Sequence, residues 1–188
     1  MPLPESYRRF LRITVRYALV MLAAGLLAGI SFQESGRKLT LDMAPAGAHL
    51  EFLLVLAMVH GHAILLGCLL PLAMAGMLLM GLRLGAPPVP DRALAWSMRL
   101  AYPGIALSVL LMLAKGYWFV LGARFGALDL GRLDKAFLGH PALLRAALFG
   151  AAHLAMGLGL GILGLALWRA LSRPSSGQAG PSMTSKGS

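Results

Sequence analysis

Charge is scarce in this chain of 188 residues: 13% of it is Asp, Glu, Lys or Arg, about half of the roughly 25% in ordinary soluble domains. That excludes a normally solvated globular surface. Cysteine occurs once, at Cys68 inside an apolar run. One cysteine makes no intramolecular disulfide and no cysteine-ligated zinc site. Its simplest role is that of a small packing residue. Acidic residues number seven against 17 Lys and Arg, leaving a formal net charge of +10. Nucleic acid is not the expected partner, because no base-stacking motif or basic recognition helix accompanies the excess. The basic residues instead lie between apolar runs, where they set membrane topology. No small-x-small cleavage site follows the N-terminal apolar stretch, so it reads as a retained helix, not a signal peptide.

Apolar sequence is abundant, at 58% hydrophobic residues. It is gathered into runs at about 13–32, 52–82, 100–121 and 142–171. Each reaches the roughly 20 residues that cross a hydrocarbon core. The expected fold is all-α: an integral membrane four-helix bundle over residues 1–171, followed by a disordered cytoplasmic tail at 172–188. The second run is over-long and holds Pro71, so it should tilt or kink. Arg8, Arg9, Arg12, Arg16, Arg83, Arg92, Arg99, Arg169, Arg173 and Lys186 fall on one side. Arg37, Lys38, Arg124, Arg132, Lys135 and Arg145 fall on the other. That imbalance favours both termini in the cytoplasm. Gly25 with Gly29, and Gly157 with Gly161, have the spacing of close helix contacts.

Five histidines are present. His49 and His140 are expected at helix ends on the outer side. His60, His62 and His153 lie within apolar runs, where a polar side chain needs a partner. At about 1.5 Å per residue, His60 and His153 sit at depths of roughly 12 Å and 16 Å on different helices. They are candidates to hold one iron or other metal between them. Facing separates His60 from His62, which point about 200° apart. Ala57, Ile64, Gly67, Cys68, Pro71 and Ala75 share the stripe of His60. Val55, Met58, Val59, Leu65, Leu66 and Leu69 share that of His62. The smaller residues place His60 inside the bundle. His62 is expected to hydrogen-bond a neighbouring helix or a backbone carbonyl.

These segments resemble known sequences. His60-Gly61 followed by Pro71 is similar to helix II of heme-copper oxidase subunit I, and Ala152-His153-Leu-Ala-Met156-Gly-Leu158-Gly159 is similar to its helix X. In that family the two histidines ligate the low-spin heme. The whole chain also resembles uncharacterised four-helix bacterial membrane proteins with His-x-His on helix two and Gly/Ala-His on helix four. The resemblance implies a bacterial inner-membrane protein with one low-spin heme b on His60 and His153. It implies no oxygen reduction, since the oxidase's copper and high-spin heme histidines have no counterparts, and Lys115-Gly116 stands where the smaller family tends to show a histidine on helix three.

Physically, two neutral imidazoles filling both axial positions favour electron transfer over substrate chemistry. Two histidines bonded across helices, or a non-heme metal, are the alternatives. Lys115 and Arg124 are candidate partners for a heme propionate, though Lys115 can equally snorkel to the interface. Two function classes follow. One is a heme-b protein for electron transfer or redox sensing, with membrane lipid around it and quinol or respiratory-chain proteins as partners. The other is a cofactor-free, non-catalytic subunit or assembly factor of a respiratory complex. A transporter is the weakest, because paired broken helices and an internal repeat are not evident.

Overall fold

The computed structural model describes residues 3–38, 48–139 and 142–172, and it is helical throughout, with no strand among them. The elements are α1 (Glu5–Lys38), α2 (Ala48–His62), a π-helical segment (Ala63–Leu69), α3 (Leu70–Arg83), α4 (Asp91–Arg124), α5 (Leu130–Ala136) and α6 (Ala142–Leu171). Four helices, counting α2 through α3 as one rod, are long and apolar enough to cross a membrane. The expected four-helix membrane bundle is therefore present. The proposed tail lies outside the described residues beyond Ser172.

The first and third long helices extend past their apolar runs at both ends, whereas α6 matches its run. In α1 the extension is amphipathic. Tyr7, Phe10, Thr14, Ala18 and Met21 recur at three- and four-residue spacing and are buried, while Arg8, Arg9, Arg12 and Arg16 are exposed. α4 begins at Asp91, directly after Pro90. A carboxylate there meets the positive end of the helix dipole.

The kink expected from Pro71 takes a specific form. Proline has no N–H, and its ring crowds the carbonyl four residues back. The turns just before it widen into the π-helix, and the Leu70 N–H bonds the Leu65 carbonyl five residues back. A π turn shifts the phase of every side chain after it. Gly67, Cys68, Pro71 and Ala75 stay buried, as the small-residue stripe predicts. Val59 belongs to the stripe of His62, whose large aliphatics suit lipid, yet it is buried at 1% exposure.

The core forms three layers along the bundle. One end layer holds Tyr7, Phe10, Leu78, Val89, Leu94 and Leu167. The middle layer holds Met21, Ala28, Val59, Ala63, Ile105 and Val109, with Phe149 and Met156 packed on it. The other end holds Leu53, Leu56, Phe119, Val120 and Leu133. α1 lies along α2 and the π segment, α2 along α4, and α4 along α6.

α4 and α6 meet through small residues. A Cβ at Gly104 would come within 2.6 Å of the Met156 amide nitrogen, and one at Gly159 within 2.8 Å of the Ser97 carbonyl oxygen. Of the two expected glycine pairs, Gly25 and Gly29 do pack against the second rod, touching Ile64 and His60. Gly157 and Gly161 do not pack: open space faces both, and Gly159 is the contact on α6.

The outer surface is what lipid requires. Leu27 is 67% exposed and Trp168 71%, with Leu19, Val20, Ile30 and Leu154 comparably open. Trp96 and Trp168 mark one end of the bundle, and Tyr117 and Trp118 the other. On α4, Trp96 and Trp118 lie roughly 33 Å apart at about 1.5 Å per residue, close to a hydrocarbon thickness of about 30 Å. Aromatic belts of this kind sit at both membrane interfaces.

Candidate functional site

The three histidines of the apolar segments share one feature. Each ring lies with Nδ1 on a backbone carbonyl: His60 on Gly25 at 2.8 Å, His62 on Met58 at 3.0 Å, and His153 on Phe149 at 2.8 Å. A carbonyl oxygen has no proton to give, so these bonds require Nδ1–H as donor. That assigns the lone pair to Nε2. Metal-ligating histidines are commonly held in this state, with the other ring nitrogen bonded to a carbonyl or carboxylate.

Depth agrees with the sequence reading. Val59 and Ala63 flank His60, Phe149 and Met156 flank His153, and all four meet in the middle layer. The two imidazoles are thus level. They do not face one another. His60 is half-buried on α1, where a Cβ at Gly29 would come within 2.8 Å of its Nδ1. His153 is exposed, on the side of α6 away from the core, while its neighbour Ala152 is buried. α6 packs on α4 and α3 and makes no comparable contact with α1 or α2. Within the chain the two rings thus lie against different surroundings, His60 on the Gly25 carbonyl of α1 and His153 on the outward side of α6. No cluster of three or more His, Cys, Asp or Glu suited to a metal ion occurs among the described residues.

His62 lies on its own helix, bonded to Met58, matching one of its two expected partners. His140 and the side chain of His49 lie outside the described residues.

Lys115 meets an anion from its own chain. Its Nζ is 2.6 Å from Asp134 Oδ1 and 5.4 Å from the centre of the Phe119 ring. Arg145 binds the other oxygen of Asp134 at 3.2 Å and also donates to the Asp134 carbonyl. These cations hold the Asp134 carboxyl below its ordinary value, chiefly through the Lys115 hydrogen bond. Lys115 is therefore a clamp on α5 in this chain. Arg124 is exposed at the end of α4 and has no ion pair among the described residues.

α5 falls between the third and fourth apolar runs, so hydropathy announces neither this helix nor the clamp on it. Asp129 caps that helix by accepting the Arg132 N–H at 3.0 Å. Leu133 is buried against Gly122, and its carbonyl accepts from Trp118 Nε1 at 2.9 Å. An aspartate followed by leucines three residues apart is a helix-start signal.

A second unforeseen feature surrounds His153. Gly150, Gly157, Gly161 and Gly164 share its face of α6, and a Cβ at any of them would meet nothing within 4 Å. Between Leu143 and Trp168, which are exposed at its two ends, these glycines leave the outward face without bulk or a neighbour among the described residues. No family model matches the chain, and no similar curated protein or solved structure was found.

Proposed function

We propose that this chain is a multi-pass protein of the bacterial inner membrane that holds one low-spin heme b for electron transfer or redox sensing, with His153 as the residue that would hold it. The observation that carries the reading is the state and setting of that ring. Nδ1 is tied to Phe149, so Nε2 would be the ligating atom, and it belongs to a side chain on the outer face. Gly150 and Gly157, one turn to either side, leave the flat space a macrocycle needs beside its ligand. Polar side chains turned to lipid are costly, which favours a function over chance.

His60 takes a different role from the one its sequence suggests. It ties α2 to α1 through Gly25 and has no place opposite His153. A heme held by His153 would then need a further ligand from a facing protein in the membrane. When bound, such a heme would supply one-electron transfer. The protein's own residues present the imidazole, held by the Phe149 carbonyl. Quinol and respiratory-chain proteins are the partners such a site would serve. The excess of arginine beside Trp96 and Trp168 supports cytoplasmic termini.

A second reading is favoured by the same glycine face. Small outward residues also allow another helix to approach closely, as in a cofactor-free subunit or assembly factor of a respiratory complex. Purification from heme-sufficient cells separates the two. The heme reading expects a red protein with low-spin reduced-minus-oxidised bands, and Gly157→Leu should remove them while the protein stays folded. A colourless wild type that co-purifies with membrane proteins through α6 would favour the second reading.

A further inference from the structure

A groove of about 730 Å³ runs between the start of α1 and the start of α4, at the arginine-rich end of the bundle. Its floor is apolar, made by Ile13, Tyr17, Met98, Tyr102, Pro103 and Ala106. The tyrosine rings there stack with centroids 4.3 Å apart. Their hydroxyls are already engaged. Tyr17 donates to the Tyr102 carbonyl at 3.1 Å. Tyr102 reaches Thr14 Oγ1 at 2.5 Å, and Thr14 in turn donates to the Phe10 carbonyl. The deep groove thus offers aromatic and aliphatic surface with its hydroxyls satisfied, which suits a hydrocarbon chain and not a polar head group.

The mouth is different. Arg9 and Arg99 line it, and neither has an ion pair among the described residues. Arg99 lies 5.7 Å from the centre of the Trp96 ring, which places it at the membrane interface. Two carboxylates share the mouth but are otherwise committed. Glu5 pairs with Arg8 at 2.5 Å, and Asp91 lies in the first turn of α4 at the positive end of the helix dipole. From the arginines to Tyr17 and Ala106 the groove runs roughly 10–12 Å into the hydrocarbon.

We infer that this groove is a binding site for an anionic phospholipid. Its phosphate is held by Arg9 and Arg99, and an acyl chain lies along the tyrosine floor. Guanidinium groups take phosphate oxygens with paired, charge-assisted hydrogen bonds. Basic pockets between membrane helices are suited to anionic head groups. This site is separate from His153 and does not depend on heme.

Native mass spectrometry of the detergent-purified full chain tests the inference, with phosphatidylglycerol and phosphatidylcholine added at equal mole fraction. Phosphatidylglycerol should be retained roughly tenfold better. The double variant Arg9→Gln/Arg99→Gln should fall to the phosphatidylcholine level. Arg12→Gln/Arg16→Gln removes the same charge from outside the groove and should keep the preference. Ala106→Phe fills the floor without touching charge and should also lower phosphatidylglycerol retention, which covers a double variant that fails to fold. Equal retention of both lipids, or equal loss in the Arg12/Arg16 control, would overturn the proposal. So would displacement of the lipid by millimolar inorganic phosphate, which would make this a site for the free anion.

Discussion

His60 reaches across to α1 and places its Nδ1 2.8 Å from the Gly25 carbonyl, with Gly29 directly beneath the ring. The glycine pair of α1 and the histidine of α2 thus form one contact. A side chain at Gly29 would occupy the place of the imidazole. Gly29→Val should cost about 1–3 kcal/mol through overpacking. Thermal unfolding in detergent should show a clearly lower midpoint, and an unchanged midpoint would contradict the contact.

Gly159 and Gly161 lie two residues apart on opposite faces of α6. Gly159→Leu drives a side chain into the Ser97–Ala101 backbone of α4 and should destabilise the fold strongly. Gly161→Leu points into open space and should leave the isolated chain's unfolding midpoint nearly unchanged. Similar losses from both would mean that the assigned faces of α6 are wrong.

The Lys115–Asp134–Arg145 cluster holds α5 onto the bundle. Asp134→Asn should loosen it by up to about 1 kcal/mol, the usual range for partly exposed pairs. Trypsin should then cut faster at Arg132 and Lys135. The pH dependence follows from the lowered carboxyl value. A carboxylate depressed in the folded state contributes its full stability above its unfolded value, near 3.8. That contribution is lost as pH falls through the lower folded value. The wild-type clamp should therefore hold unchanged from neutral pH to about 5 and weaken only below about 4. Resistance that falls away near pH 6 would point to a different group.

Much of the architecture was legible because lipid imposes it. Each crossing needs a long apolar run, and all four runs show plainly in the residues. The details missed arise from backbone and tertiary effects. The π segment follows from the absent N–H of Pro71, which alters helical phase without altering hydropathy. That phase change alone does not account for Val59, which precedes it and is buried between helices. The partner of Lys115 comes from a short helix that its aspartate cap could have announced.

The facing of His153 is not legible in the residue pattern of α6. Small residues mark the buried side of α2 well. On α6, Gly150, Gly157, Gly161 and Gly164 share the outward face and Gly159 lies on the buried one. Smallness therefore points to the wrong side there. Depth, in contrast, depends only on counting residues along each helix, and there His60 and His153 do lie level.

Reduced-minus-oxidised spectra of the wild type, His60→Ala and His153→Ala test the central claim most directly, each purified from heme-sufficient cells. Low-spin bands should be present in the wild type and absent from folded His153→Ala. They should persist in His60→Ala, which loses a helix–helix hydrogen bond worth about 0.5–2 kcal/mol. A colourless wild type, or bands that survive in His153→Ala, would contradict the assignment of His153 as the iron ligand.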